Sequence, residues 1–362
     1  MKRLGVLCAI TALITSCSFT LPGAPGPHAS SFWAHPVPDT SFLCGGRHFV
    51  LDKEITWATK EMRETDGYIT FPFTYQPRTT GNKKNDSIRG ELLYRKGKEP
   101  RDLVVLIPGT GENISTEGSA EALAERGYDS VRFRSGIDIF DERLLDGKLA
   151  LDEEELRGFI RIGKQRIRDR ICDYVLSIHY FVLRMHYNRI GISGVSLGGI
   201  FAPLIGHQYP RTSSVLVMIS GGDLPYILQN STEGKIVSTR RRLEDLFLGT
   251  PERMWSVMRE ELQEVDPLRF AENTNASQMR IIANLWDQAV PFHSATALRD
   301  ASRRPPLEVV IFPPGHYGSV LLLWVPIIRW MPLGSCPLCI YYPTYGKVQD
   351  FNVDFLTQTM PR

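Results

Sequence analysis

The chain has 362 residues, 43% of them apolar and 23% charged, with a formal net charge of +2. These are the proportions of a soluble globular protein, long enough for one large domain or two ordinary ones and for a core that needs no disulfide staples. The near balance of charge gives no global argument for nucleic-acid binding, and no repeat of solenoid period is present.

The N-terminus, "MKRLGVLCAITALITSCS", opens with Lys2 and Arg3 and continues as an apolar run from Leu4 to Ile14. That run is too short to span a bilayer and reads as the apolar region of a secretory signal covering residues 1–16. It ends in Ile14-Thr15-Ser16-Cys17, which resembles the lipobox of bacterial lipoproteins. The resemblance implies cleavage before Cys17, acylation of that cysteine and attachment to a membrane of the cell envelope. Ser18 rather than Asp after the cysteine leans towards the outer membrane, facing the periplasm. Residues 17–43 read as the lipidated cysteine and a tether rich in Pro, Gly and Ser. The next apolar run, Val320 to Ile328, is closed by Arg329 and is too short for a membrane anchor. With Cys8 in the signal, Cys44, Cys172, Cys336 and Cys339 remain, and in an oxidising periplasm they allow three full pairings. Cys336-Pro-Leu-Cys339 lies in a loop-like tail, where a structural disulfide or free thiols are expected rather than a redox or zinc site.

Residues 44–345 read as one α/β domain and residues 346–362 as a C-terminal tail. "GYITFPFTY" and "GELLYRK" have strand composition, are separated by a polar stretch, and predict an antiparallel pair. "LVVLIPG" is a continuous apolar strand of the kind covered on both faces. Helix "EGSAEALAERG" and strand "DSVRFRS" follow, then a long amphipathic helical stretch from about Asp152 to Tyr187. Next come strand "NRIGISG", a helix stopped at Pro210, and strand "SSVLVMISGG". A mainly helical segment occupies about 224–270, followed by a strand ending near Trp286, helix "SATALRDAS" and strand "PLEVVIFP"; a further helix is expected after Gly315. Strands alternating with helices imply right-handed crossovers and a mainly parallel sheet with helices on both faces.

In open α/β sheets chemistry gathers beyond the C-terminal ends of the strands. In this chain those ends carry Pro108-Gly109-Thr110-Gly111, Gly194-Val195-Ser196-Leu197-Gly198, Gly221-Gly222-Asp223, Asp287-Gln288-Ala289-Val290-Pro291 and Gly315-His316-Tyr317. Their placement resembles the α/β-hydrolase superfamily over about Gly67 to Met331, with Ser, Asp and His in that chain order. The resemblance implies an esterase- or lipase-like serine hydrolase with a nucleophile elbow at Gly194 to Gly198. Ser196 would attack, His316 would take its proton, and Asp287 would orient the imidazole, with Asp223 as an alternative acid. Backbone N–H groups of Leu197 and Thr110 would form the oxyanion hole. Many esterases carry His-Gly ahead of the oxyanion residue, whereas this chain has Pro108-Gly109. His179, His207 and His293 compete for the role of base, and Asp138 and Asp141 also follow a strand but read as helix caps. The segment at about 224–270 is expected to form a helical cap over the pocket.

No H-E-x-x-H, phosphate loop or strand-linked G-x-G-x-x-G is present, so neither metal nor cofactor is expected. The expected partner is an acyl-ester small molecule or lipid, together with the membrane reached through the N-terminal anchor. An acyltransferase with the same triad and a non-catalytic envelope lipoprotein are the rival readings. Two basic runs, Arg240-Arg241-Arg242 and Arg161 to Arg170, read either as solvated faces or as contacts to an anionic lipid surface.

Overall fold

In the computed structural model, residues 41–44, 47–50, 55–75, 87–97, 102–110, 116–134, 139–140, 142–274, 278–303, 305, 307–310 and 315–316 are described. Cys17, most of the tether, Cys336, Cys339, Asp138, Asp141, the tail and the helix expected after Gly315 lie outside them. A two-stranded hairpin, β1 (Ser41–Cys44) with β2 (Arg47–Val50), begins just ahead of the expected domain boundary at residue 44.

The centre of the molecule is β7 (Leu103–Ile107), all of whose residues are buried. Its side chains alternate between two cores. Val105 and Ile107 join Phe71, Tyr174 and Phe201 on one face of the sheet, while Val104 and Leu106 join Leu123 and Ile282 on the other. A strand buried on both faces needs an unbroken apolar run, which is why this segment shows no polar alternation.

Around β7 stand β3 (Thr56–Trp57), β4 (Arg63–Glu64), β5 (Tyr68–Tyr75), β6 (Ile88–Arg95), β8 (Asp129–Phe133), β9 (Ile190–Val195), β10 (Thr212–Met218), β11 (Gln278–Asn284) and β12 (Leu307–Val310). They form a ten-stranded sheet in the order β12-β11-β10-β9-β7-β8-β6-β5-β3, with β4 also paired to β5. From β12 to β8 every neighbouring pair is parallel; β6 joins β8 antiparallel, and β5 joins β6 antiparallel. The expected antiparallel pair is thus present at the N-terminal edge. Gly194 stands opposite both Ile107 of β7 and Val217 of β10. That register brings the C-terminal ends of three strands level with one another.

Helices α1 (Glu117–Glu125), α2 (Glu153–Met185), α3 (Leu197–Gln208), α4 (Leu224–Asn230), α5 (Gly234–Leu246), α6 (Pro251–Leu262), α7 (Pro267–Ala271) and α8 (Phe292–Ala301), with short 3-10 helices at Thr59–Glu61, Glu142–Leu145 and Gln263–Val265, complete the described elements. The 33-residue α2 starts at a reciprocal cap: the Asp152 carboxylate accepts from the Glu155 N–H, and the Glu155 carboxylate accepts from the Asp152 N–H. Cys172, buried on α2, is disulfide-bonded. Four of the helices, α4 to α7, fill the segment between β10 and β11, as the helical pattern predicts.

The basic run on α2 faces α6 and the turn after it rather than standing free. Arg157 reaches Glu153, Glu260 and Glu261; Lys164 reaches Glu261 and Glu264; Arg161 reaches Glu154 and Glu261; Arg168 reaches Glu264. The second run is similarly engaged. The Arg240 guanidinium donates to the carbonyls of Leu228, Gln229 and Ser231 at the end of α4, and Arg242 pairs with Asp146. These cations hold helices together, so much of each run is engaged within the molecule rather than simply solvated. Exposed pairs are weak one at a time, but here most carboxylates are shared between cations.

Hydrogen bonds from Arg253 and Arg157 hold the Glu153 carboxyl down to about 2, from an ordinary 4.5. A carboxyl depressed in the folded state adds stability above its unfolded pKa, and that stability is lost as pH falls towards the folded value. Glu153→Gln is therefore expected to melt below the wild type at neutral pH. The gap should close between about pH 4.5 and about pH 2. Melting temperatures across that range check it, and a gap that stays constant with pH would contradict the assigned cause.

Candidate active site

β9 runs directly into α3, and Ser196 is the residue between them. Its backbone sits at φ 55° and ψ −120°, a region that residues with a Cβ seldom occupy. The turn is held from several sides. The Ser196 N–H donates to the Met218 carbonyl at 2.9 Å, and the Ser196 carbonyl accepts from Gly199 at 2.8 Å and Ile200 at 3.2 Å. Two glycines make it sterically possible. A Cβ on Gly194 would lie 2.0 Å from the Gly198 carbonyl oxygen, and one on Gly198 would lie 2.3 Å from that of Ile107. The second contact presses the elbow against the end of β7, where Gly109 and Thr110 begin the loop predicted to face it.

His316 follows β12 in the chain, next to Gly315, which adopts φ 88°. His316 is buried, with Nε2 2.7 Å from Ser196 Oγ and Nδ1 2.8 and 2.9 Å from the two carboxylate oxygens of Asp287. An ionised carboxylate only accepts, so Nδ1 carries the proton and Nε2 is left to accept from the serine hydroxyl. Asp287 follows β11, and its Oδ1 also accepts from the N–H groups of Ala289 and Val290, both at 2.8 Å. Burying a carboxylate is costly unless its oxygens are satisfied, and here backbone donors and the imidazole satisfy them.

The structure thus brings together Ser196, His316 and Asp287. Asp223 lies elsewhere: in the left-handed region at φ 61°, it caps α4 by accepting from the Tyr226 N–H at 3.1 Å. Among the other histidines considered, His207 meets the Asn273 carbonyl at 2.8 Å, His293 packs on the Tyr226 ring, and His179 packs on Tyr209. Leu197 is the first residue of α3, where backbone N–H groups have no intrahelical partner and face the positive end of the helix dipole. Thr110 lines the same cavity as Ser196 and His316.

That cavity has a volume of about 240 Å³. Its wall is predominantly aliphatic, drawn from α3, α4, α5, α6 and α2, with Glu233, Lys235 and Thr239 among its polar members. Three features here escape sequence reasoning. Phe140 and Ile139, from the segment after β8, line the cavity, as does Ile167 from the middle of α2. Asp266 accepts backbone N–H bonds from Asp223, Leu224 and Leu268, fastening the start of the inserted helices to their end. Burial pushes the Asp266 carboxyl up, and the three donors oppose that shift. Nothing in the local pattern around Asp266 beyond Asp-Pro, a helix-start signal, points to this clasp.

Neither a protein-family model nor a curated protein matches the chain. Solved structures do. An acetyl xylan esterase from a Paenibacillus species superposes with a TM-score of 0.54 at 17% identity, covering 76% of this chain and 85% of that one. Acetyl xylan esterase 1 from a Thermoanaerobacterium species gives 0.50 at 15% identity, covering 75% and 88%. A cold-adapted esterase from an Arctic intertidal metagenomic library gives 0.50 at 14%, covering 84% and 99%. With the sheet order and the strand–serine–helix turn described above, these likenesses define the class: the chain has the α/β-hydrolase fold.

The elbow gives a direct stability test. In Gly194→Ala the added Cβ meets backbone, which has no rotamer to yield, so the loss should reach or exceed the upper end of the ~1–3 kcal/mol typical of overpacking. Denaturant unfolding measures it; a neutral Gly194→Ala would mean that the turn is looser than the contacts imply.

Proposed function

We propose that the chain is a serine hydrolase that cleaves a carboxylic ester through an acyl-enzyme. The observation that carries this reading is the continuous hydrogen-bond chain from Ser196 Oγ through His316 to Asp287, buried at the head of an apolar cavity. Ser196 Oγ attacks the ester carbonyl carbon while its proton passes to His316 Nε2. The negative charge on the carbonyl oxygen is met by the N–H groups of Leu197 and Thr110. Collapse breaks the bond to the alcohol, which leaves with the proton from His316. Water then repeats the sequence on the acyl-serine, giving up one proton to His316, and releases the acid and free Ser196. Asp287 keeps the imidazole in the tautomer that accepts from serine and stabilises the imidazolium formed in each half-reaction. The solved neighbours with this fold that are esterases support the same chemistry. We further propose that Cys17 carries lipid and holds the enzyme at the bacterial outer membrane facing the periplasm, on the strength of the lipobox-like stretch alone.

A fluorophosphonate probe should label the wild type and leave Ser196→Ala unlabelled, with both proteins folded by circular dichroism. Asp287→Asn should lower kcat for a p-nitrophenyl ester by about 10⁴ through the wrong imidazole tautomer, as in other Ser-His-Asp sites. A folded wild type that neither labels nor hydrolyses would overturn the proposal. Metabolic labelling with an alkynyl fatty acid should mark the chain expressed in bacteria and be lost in Cys17→Ala; equal labelling of both would remove the anchor.

A further inference from the structure

The lining of the cavity beside Ser196 includes one aromatic ring that rests on one glycine. Helix α2 presents Phe159, Gly163 and Ile167 at successive i+4 positions, so all three lie along one face. Ile167 lines the cavity and so does Phe140, which comes from the segment after β8. The Phe140 ring stacks on Phe159, with centroids 5.7 Å apart and planes at 22°. It also covers Gly163 so closely that a Cβ there would fall 2.7 Å from its Cε1 and 3.0 Å from its Cδ1. The ring is therefore held between the helix on one side and the cavity on the other. Gly163 costs helix propensity in mid-helix, and this contact is what it permits.

A volume of about 240 Å³ far exceeds what an acetyl group would fill. A single water needs only ~10–15 Å³ by the same kind of measure, so the space has room for a chain of several methylenes. Ile200, Leu224, Ile227, Leu262 and Val290 make most of the lining branched and aliphatic, with Glu233 and Lys235 as its charged members.

We infer that the enzyme accepts esters of an acyl chain longer than acetyl, and that Phe140, seated on Gly163, sets the longest chain that fits. The inference rests on the esterase reading for why an acyl group enters the cavity, but pocket length is measurable without catalysis. The chain runs from the carbonyl at Ser196 along the aliphatic wall to the ring. Adding a side chain at Gly163 lifts the ring off α2 into the cavity and shortens it. Removing the ring joins its space to the cavity and lengthens it.

The test titrates the full chain calorimetrically with sodium salts of saturated fatty acids from butanoate to dodecanoate, and measures hydrolysis of the matching p-nitrophenyl esters in parallel. In the wild type, affinity should rise about fourfold per methylene and then stop rising at one length. Gly163→Ala should move that break to a shorter acid while affinity for the shortest acids is unchanged. Phe140→Ala should move it to a longer acid, and Phe140→Leu, which keeps more of the volume, should move it less in the same direction. Melting curves identify any variant that fails to fold, and either Phe140 variant then serves alone. The inference is overturned if the wild type shows no length dependence, if the break stays in place in folded variants, or if Gly163→Ala weakens all acids by one common factor. Length-dependent binding without ester hydrolysis would sink the esterase reading and leave the pocket assignment standing. Hydrolysis with no fatty-acid binding would do the reverse.

Discussion

The backbone of Ser196, held at φ 55° between a buried strand and a buried helix, is the constraint around which the rest of the site is arranged. A conformation of this kind costs on the order of 1–3 kcal/mol and persists only where its surroundings over-determine it. Here the surroundings are the register of three parallel strands, which fixes the Met218 carbonyl as partner for the Ser196 N–H, and ten buried residues of α3, which fix the direction of the helix. The strain has a geometric result. It turns the hydroxyl out of the sheet and into the cavity, and it sets the first N–H groups of α3 beside it. A relaxed turn would give neither.

Much of this was legible before any coordinates. The order of strands and helices from Leu103 to Val310 follows from apolar runs that match one period or the other. The three residues that meet each follow the C-terminal end of a strand in the parallel part of the sheet. That relation is topological, so it survives errors of a residue or two at element boundaries, such as the strand expected to run to Trp286 that ends at Asn284. Asp223 and Asp287 could not be separated on pattern alone with the same force, since both follow strands and both precede helices. What separates them is the left-handed conformation of Asp223, which turns its carboxylate back onto α4. No composition signal encodes that. The partners of the basic run on α2 were hidden for a related reason: a one-dimensional string shows a row of cations on one helix, with the glutamates of α6 and the turn after it about a hundred residues away.

The helices between β10 and β11 are fastened at two levels. At their base, Asp266 gathers backbone N–H groups from both ends of the insertion. Further out, the α2–α6 ion pairs and the bridge between Leu151 and Phe247 tie the insertion to the rest of the molecule. Of the outer ties, the Arg253–Glu153 pair is exposed and screened by salt, whereas the Lys164–Glu261 pair and the Leu151 bridge are largely buried, as is the directional inner one. The arrangement gives a cavity whose walls come from separate parts of the chain yet whose floor, α2 and α3, is continuous with the core.

The contrast between that apolar cavity and the polar triad at its head follows from one electrostatic requirement. In the proposed ester cleavage, charge would move onto the carbonyl oxygen and onto the imidazole. The N–H groups and the carboxylate that answer those charges act more strongly where water is absent, because the effective dielectric is lower. An aliphatic wall keeps water out, but it would equally disfavour an ionised Asp287 left to itself. The two backbone donors on Asp287 Oδ1 resolve the conflict: they satisfy the carboxylate without adding a competing charge, so its remaining interaction is directed at His316. On the proposed reading, an acyl chain filling the cavity would complete the exclusion of water from the reacting atoms. On this view the length of the pocket and the strength of the catalytic electrostatics are linked, because a chain too short to reach Phe140 leaves space beside Ser196 that solvent can enter.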